Sequence, residues 1–155
     1  LAELALRLAT PASRMTRRFG LVGESVTIWS RGVRQRRAWA VITLAATPPL
    51  PEPSPNCRER TAVILGSGLL RDITLGLLAA SFERVLPVDA VHLPQIRLLM
   101  NLHRKVALLT QDLTGIMGWL PVKARAGLVA DSAVDLVVSA NQLSQLVWRI
   151  EEGLA

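Results

Sequence analysis

The sequence predicts an α/β fold with a parallel sheet over residues 56–155, preceded by a helical N-terminal extension. Three observations carry this. From Thr61 onward, short runs rich in Val, Ile and Leu alternate with stretches of helical pattern, the order of successive βαβ units. Those runs are nearly continuous in apolar residues, as strands buried on both faces are. The first run leads straight into Gly66-Ser67-Gly68, the kind of turn that passes a strand on to a helix.

The elements follow in order. Ala2–Ala9 is a good helix former, and Pro11 is placed to open a second short helix, where its missing N–H costs nothing. Residues 21–47 read as one longer helix: Val22, Val26, Trp29, Val33, Ala40 and Leu44 recur at spacings of three, four and seven, the mark of an amphipathic helix. Gly32 weakens it by about 1 kcal/mol relative to Ala. Residues 48–55 hold five prolines in eight positions. Such a stretch can neither continue a helix nor enter a sheet interior, so it is an extended linker between the helical region 1–47 and the unit 56–155.

Within that unit the predicted strands are Thr61–Leu65, Arg84–Val88, Val106–Thr110 and Val134–Ser139. The predicted helices are Leu69–Ser81, Pro94–Leu102 and Asn141–Leu154. The stretch Ile116–Ala126, cut by Gly118 and Pro121, fits neither type. Pro87 is a misfit in the second strand, because it removes a ladder hydrogen bond and makes that strand irregular.

Composition sets bounds on this reading. At 155 residues, half of them hydrophobic, the chain fits one domain with a real core. Residues 1–60 carry ten Arg against four Glu; residues 61–155 carry eight Lys and Arg against eight Asp and Glu. The basic character belongs to the N-terminal region, where Arg31, Arg34, Arg36 and Arg37 form a solvated face. That is no strong nucleic-acid signal. The lone cysteine, Cys57, excludes an intrachain disulfide framework and agrees with a reducing cytoplasm. No run approaches the roughly 20 apolar residues of a membrane span.

The chemistry gathers at strand ends. Glycines at 66 and 68 let a backbone approach a ligand with no Cβ in the way, and Ser67 adds a hydroxyl. The first N–H groups of a following helix would face that ligand. Asp89 ends the second strand, 23 residues after Gly66, and Asp112 follows the third, 23 residues after Asp89. Carboxyl ends of neighbouring strands are where open α/β sheets bind ligands, and in Rossmann-type sites an acid near Asp89's place accepts from ribose hydroxyls. Asn141, just past the fourth strand, serves as a helix N-cap or as a further ligand contact. Asp72 suits a helix N-terminus. His92 and His103 have no metal-ligand spacing, and Leu65-Gly66-Ser67-Gly68-Leu69 is not a nucleophile elbow.

With Val63-Ile64-Leu65-Gly66-Ser67-Gly68, Val88-Asp89, Leu109-Thr110-Gln111-Asp112-Leu113 and Val134–Asn141 in view, the chain resembles the class I S-adenosylmethionine-dependent methyltransferases over about residues 61–146. The resemblance implies a three-layer Rossmann-like fold with strand order 3-2-1-4 for the four strands present. It implies S-adenosylmethionine as cofactor, with the glycine turn on its methionine part, Asp89 on the ribose and Asp112 on the adenine amino group. Asn141 joins the set.

Two departures stand out: Leu70 where many members have a third glycine, and no acid in Thr61–Leu65. Members of the family continue for three more strands, so the chain is expected to be a fragment, with strand four as an exposed edge. The isolated chain is then marginally stable, and a cooperative melt above about 60 °C would count against this.

Three functions stay open on the residues. The first is a methyltransferase acting on an unidentified acceptor, with the basic helix Val22–Leu44 over the cofactor as a lid. The second is a nicotinamide-dependent oxidoreductase, against which Arg71 stands where Gly-x-Gly-x-x-Gly needs its last glycine. The third is a non-enzymatic binding module, favoured by Leu70 and the acid-free first strand.

Overall fold

The computed structural model describes residues 1–37, 60–70, 73, 75–112 and 133–140. The elements are α1 (Ala2–Ala9), α2 (Arg14–Arg18), α3 (Leu21–Arg34), β1 (Thr61–Leu65), α4 (Leu75–Ser81), β2 (Arg84–Asp89), α5 (Pro94–Asn101), β3 (Leu109–Thr110) and β4 (Val134–Ser139). The four strands form one all-parallel sheet in the order β3-β2-β1-β4.

The N-terminal helices begin and end for local reasons. Pro11 does not open α2. Ser13 does, its hydroxyl accepting from Thr16 N at 3.0 Å, a capping bond that a proline at the first helical position cannot make. Gly20 precedes α3 at φ +71°, a left-handed turn that glycine takes without strain. The single helix expected over 21–47 is interrupted: α3 closes at Arg34, with Gln35 as its C-cap at φ −106°. Residues 38–47 lie outside the described residues.

Residues 91–100 meet α3 in a shared core. Val22 and Val26 cluster with Val91, Leu93, Ile96 and Met100, and Leu69, Leu70 and Trp29 pack around them. Leu69 and Leu70 follow β1, and Val91 and Leu93 follow β2. The helical region therefore packs at the carboxyl end of the sheet. A second cluster covers one sheet face, joining Ala62 and Ile64 of β1, Val85 of β2, and Leu78 and Phe82 of and after α4.

Pro87 has a legible effect on β3. It is fully buried and pairs in register with Ile64 of β1, so β2 itself stays regular. The interruption falls across the ladder. Val85 N–H donates to Lys105 O at 2.8 Å and Ala107 N–H to Val85 O at 3.0 Å. Farther on, Gln111 N–H donates to Asp89 O at 2.8 Å. Between these, a continuous parallel ladder needs an N–H from residue 87 to the carbonyl of Ala107, and proline has none. The strand expected over Val106–Thr110 is accordingly an isolated bridge at Val106 and a two-residue strand at Leu109–Thr110.

The helix expected from Leu69 also starts late. Leu70 sits at φ +54°, which no right-handed helix can pass through, and α4 opens only at Leu75. Among the described residues no helix is long and apolar enough to cross a membrane.

Candidate site at the carboxyl ends of the strands

β1 delivers the chain into Gly66-Ser67-Gly68 with φ +70° at Gly66 and +47° at Gly68. Both values suit glycine. The turn is held by β2. Gly66 N–H and Ser67 N–H both donate to Val88 O, at 2.9 and 3.2 Å, and Leu70 N–H donates to Ser67 O at 2.8 Å. Gly68 N–H donates to Asp89 Oδ2 at 2.7 Å. The donors of Gly66, Ser67, Gly68 and Leu70 are thus all used within the protein, and the helix N-terminus lies farther along. The expectation that backbone N–H groups here cradle a ligand does not extend to these four donors.

Asp89 is the hinge of the arrangement. Its Oδ1 accepts from Val91 N at 3.2 Å while Oδ2 holds Gly68. Burial pushes its carboxyl above the ordinary aspartate range, against the opposing pull of the Gly68, Val91 and Ala90 backbone donors. An ionised carboxylate offers about four lone-pair positions, so three backbone donors leave room for roughly one further hydroxyl or amine. Asp89 stands part-exposed, within reach of such a group.

The structure adds residues to the site that the sequence reading passed over. Ser67 is 4 % exposed and His92 fully buried, and Ser67 Oγ meets His92 Nε2 at 3.3 Å. His92 Nδ1 meets Thr110 Oγ1 at 3.2 Å. Arg97 donates from Nη2 to Thr110 Oγ1 at 3.1 Å and from Nε to His92 O at 3.2 Å. One polar chain therefore ties the turn after β1, the segment after β2, the last residue of β3 and α5. Burial first, and then the charge of Arg97, hold the His92 imidazole down to about 4. A lone histidine in a mostly apolar stretch gave no spacing signal for this. Its partners lie 25 and 18 residues away and meet only across the sheet.

A serine, a histidine and a third group in line is the outline of an activated nucleophile. The electrostatics here run the opposite way. The third group is a hydroxyl that accepts from a guanidinium, not a carboxylate, so the imidazole is made a weaker base. Ser67 is also turned inward.

Asp112 lies two residues beyond β3, at the same end of the sheet, and is buried at 9 % exposure. Asn141, like Arg71 and Asp72, lies outside the described residues. Gln95, at the start of α5, has both side-chain polar atoms buried and unbonded among the described residues. Those residues include no cluster of three or more metal-ligating side chains. Comparison of the chain with protein-family models, curated proteins and solved structures gives no match.

Proposed function

We propose that this chain is the cofactor-binding part of a Rossmann-like, methyltransferase-like protein that takes S-adenosylmethionine. What carries this reading is the meeting of Gly68 and Asp89 at 2.7 Å beside the point where the strand order reverses. In the order β3-β2-β1-β4, the chain moves outward from β1 in one direction and then returns to its other side. Ligands of open α/β sheets sit at that switch point, outside the carboxyl ends.

The consumed backbone donors favour an adenosyl ligand over a dinucleotide. A pyrophosphate is bound by free N–H groups of the turn and of the helix that follows. Here the turn's donors at Gly66, Ser67 and Gly68 point into the protein, and the helix begins at Leu75. An adenosyl group makes no such demand, because its ribose needs acceptors. Asp89 would take a ribose hydroxyl, Asp112 the adenine amino group, and the Gly66–Gly68 turn the remainder, with Asn141 as a further contact. A Cβ built on Gly68 would stand at an ordinary contact distance of 3.9 Å from Asp89 Oδ2 and from Gly66 O, so it is the φ of +47° and not space that calls for glycine. Bound S-adenosylmethionine supplies the methyl group; the chain's part is to orient it. The helical region at the carboxyl end of the sheet is placed to cover it.

A second reading is favoured by the same bonds: a self-satisfied turn needs no ligand, as in a non-enzymatic binding module. Calorimetry separates the two, with S-adenosylmethionine, S-adenosylhomocysteine and NAD as titrants. Binding of the adenosyl compounds alone supports the first reading, and silence from all three with an intact fold supports the second. Replacing Asp89 with Ala should weaken adenosyl binding by about 1.5–3 kcal/mol, the scale of hydrogen bonds to a charged group. An unchanged affinity removes Asp89 from the site.

A further inference from the structure

We infer that His92 is a positioning residue that takes the Ser67 hydroxyl proton within the protein, locking the glycine turn to β2 and β3 and leaving Asp89 as the acceptor at its edge. The inference deepens the function proposed above and rests on it for the place of the ligand alone.

The direction of the polar chain follows from burial. A neutral imidazole has one N–H and one bare nitrogen, so two arrangements are open. In one, Nε2–H donates to Ser67 Oγ, and the Ser67 proton must find another acceptor. Ser67 is 4 % exposed, and its hydroxyl has no acceptor besides His92 among the described residues. A buried hydroxyl left unpaired is costly. In the other, Ser67 O–H donates to Nε2 and Nδ1–H donates to Thr110 Oγ1. Thr110 then accepts from both His92 and Arg97, which uses its two lone pairs. Its own proton turns to water, and Thr110 is solvent-exposed. Every group is satisfied in the second arrangement alone.

The consequence reaches the ligand. With its proton on His92 and its side chain buried, Ser67 is withdrawn from the ligand. The N–H groups of Gly66, Ser67, Gly68 and Leu70 are taken. Asp89 adds a carboxylate. What the turn presents is therefore the Asp89 carboxylate beside the Leu69 N–H, which has no partner among the described residues. A hydroxyl, amine or ammonium group satisfies the carboxylate. Arg97, which lies beside the network, already directs Nε and Nη2 to His92 O and Thr110 Oγ1.

Nitrogen-detected NMR of the imidazole in the whole chain at neutral pH tests this without any adenosyl ligand. The expected spectrum is that of a neutral ring protonated at Nδ1. Thr110→Val, which removes the acceptor of that proton, should shift the ring toward the Nε2–H form. An Nε2–H ring or an imidazolium in the native chain would overturn the inference. So would a Thr110→Val ring unchanged in tautomer. Failure of the adenosyl compounds to bind, with the ring as expected, would reject the proposed ligand and leave the assignment of His92 standing.

Discussion

Leu70 shows how one residue can serve two demands at once. Its φ of +54° puts a branched side chain where glycine is the easy choice, at a cost of about 1–2 kcal/mol. In return its side chain packs against both hydrophobic clusters. Leu70→Gly should relieve the strain but lose the packing of a half-buried side chain and give the unfolded chain more backbone freedom. The expected net effect is a loss of stability, read from denaturant midpoints; a gain would show that the packing is idle. Gln95 makes the opposite case. Its amide is buried and unbonded among the described residues, so Gln95→Met should stabilise the fold by about 1–3 kcal/mol.

His92 predicts a pH dependence at the same scale. Its imidazole lies at about 4 in the folded chain against an ordinary 6.5. As pH falls below 6.5 the unfolded chain takes up a proton that the folded chain refuses, so stability drops until pH reaches about 4. At 1.36 kcal/mol per unit the loss amounts to about 3 kcal/mol. Asp89, with its carboxyl raised, works the other way: the folded state holds its proton more tightly, so acid favours it. Comparing the native chain with His92→Gln over this window cancels the Asp89 contribution. Parallel stability curves for the two would refute the assignment.

At the scale of elements, Pro87 sets the length of its neighbour strand. Pro87→Val restores an N–H opposite Ala107. The bridge at Val106 and the pair at Leu109–Thr110 should then fuse into one ladder. Hydrogen exchange checks this: the new residue-87 amide should be protected, and rapid exchange there would show that another cause breaks β3. The existence of the strands was legible because short, apolar, β-branched runs bounded by turn residues have few other places to go. Their lengths were not. In the sequence Pro87 reads as a defect of β2, whereas its missing donor points to β3, a matter of strand parity and sheet order. The late start of α4 was equally hidden, because nothing in Leu69-Leu70 announces a left-handed residue.

At the scale of the whole molecule, the core shared by α3 and residues 91–100 predicts joint unfolding. Val26 is fully buried there, and Val26→Ala should cost about 2 kcal/mol in lost burial and cavity. If the helices and the sheet form one cooperative unit, native-state hydrogen exchange will show that loss at amides of β1 as well as of α3. A loss confined to α3 would mean that the two open separately.

The sequence by itself determined the parallel α/β sheet, its strand order as implied by family resemblance, and the gathering of Gly66–Gly68, Asp89 and Asp112 at strand ends. Periodicity, turn chemistry and position relative to strand ends are local properties, and they are written locally. Only the tertiary structure decided how the turn's donors are spent, that Asp89 reaches back to Gly68, and that His92 joins Ser67 to Thr110. These depend on which groups face one another across the sheet and on which are denied water, and residues far apart in the chain carry no local mark of that.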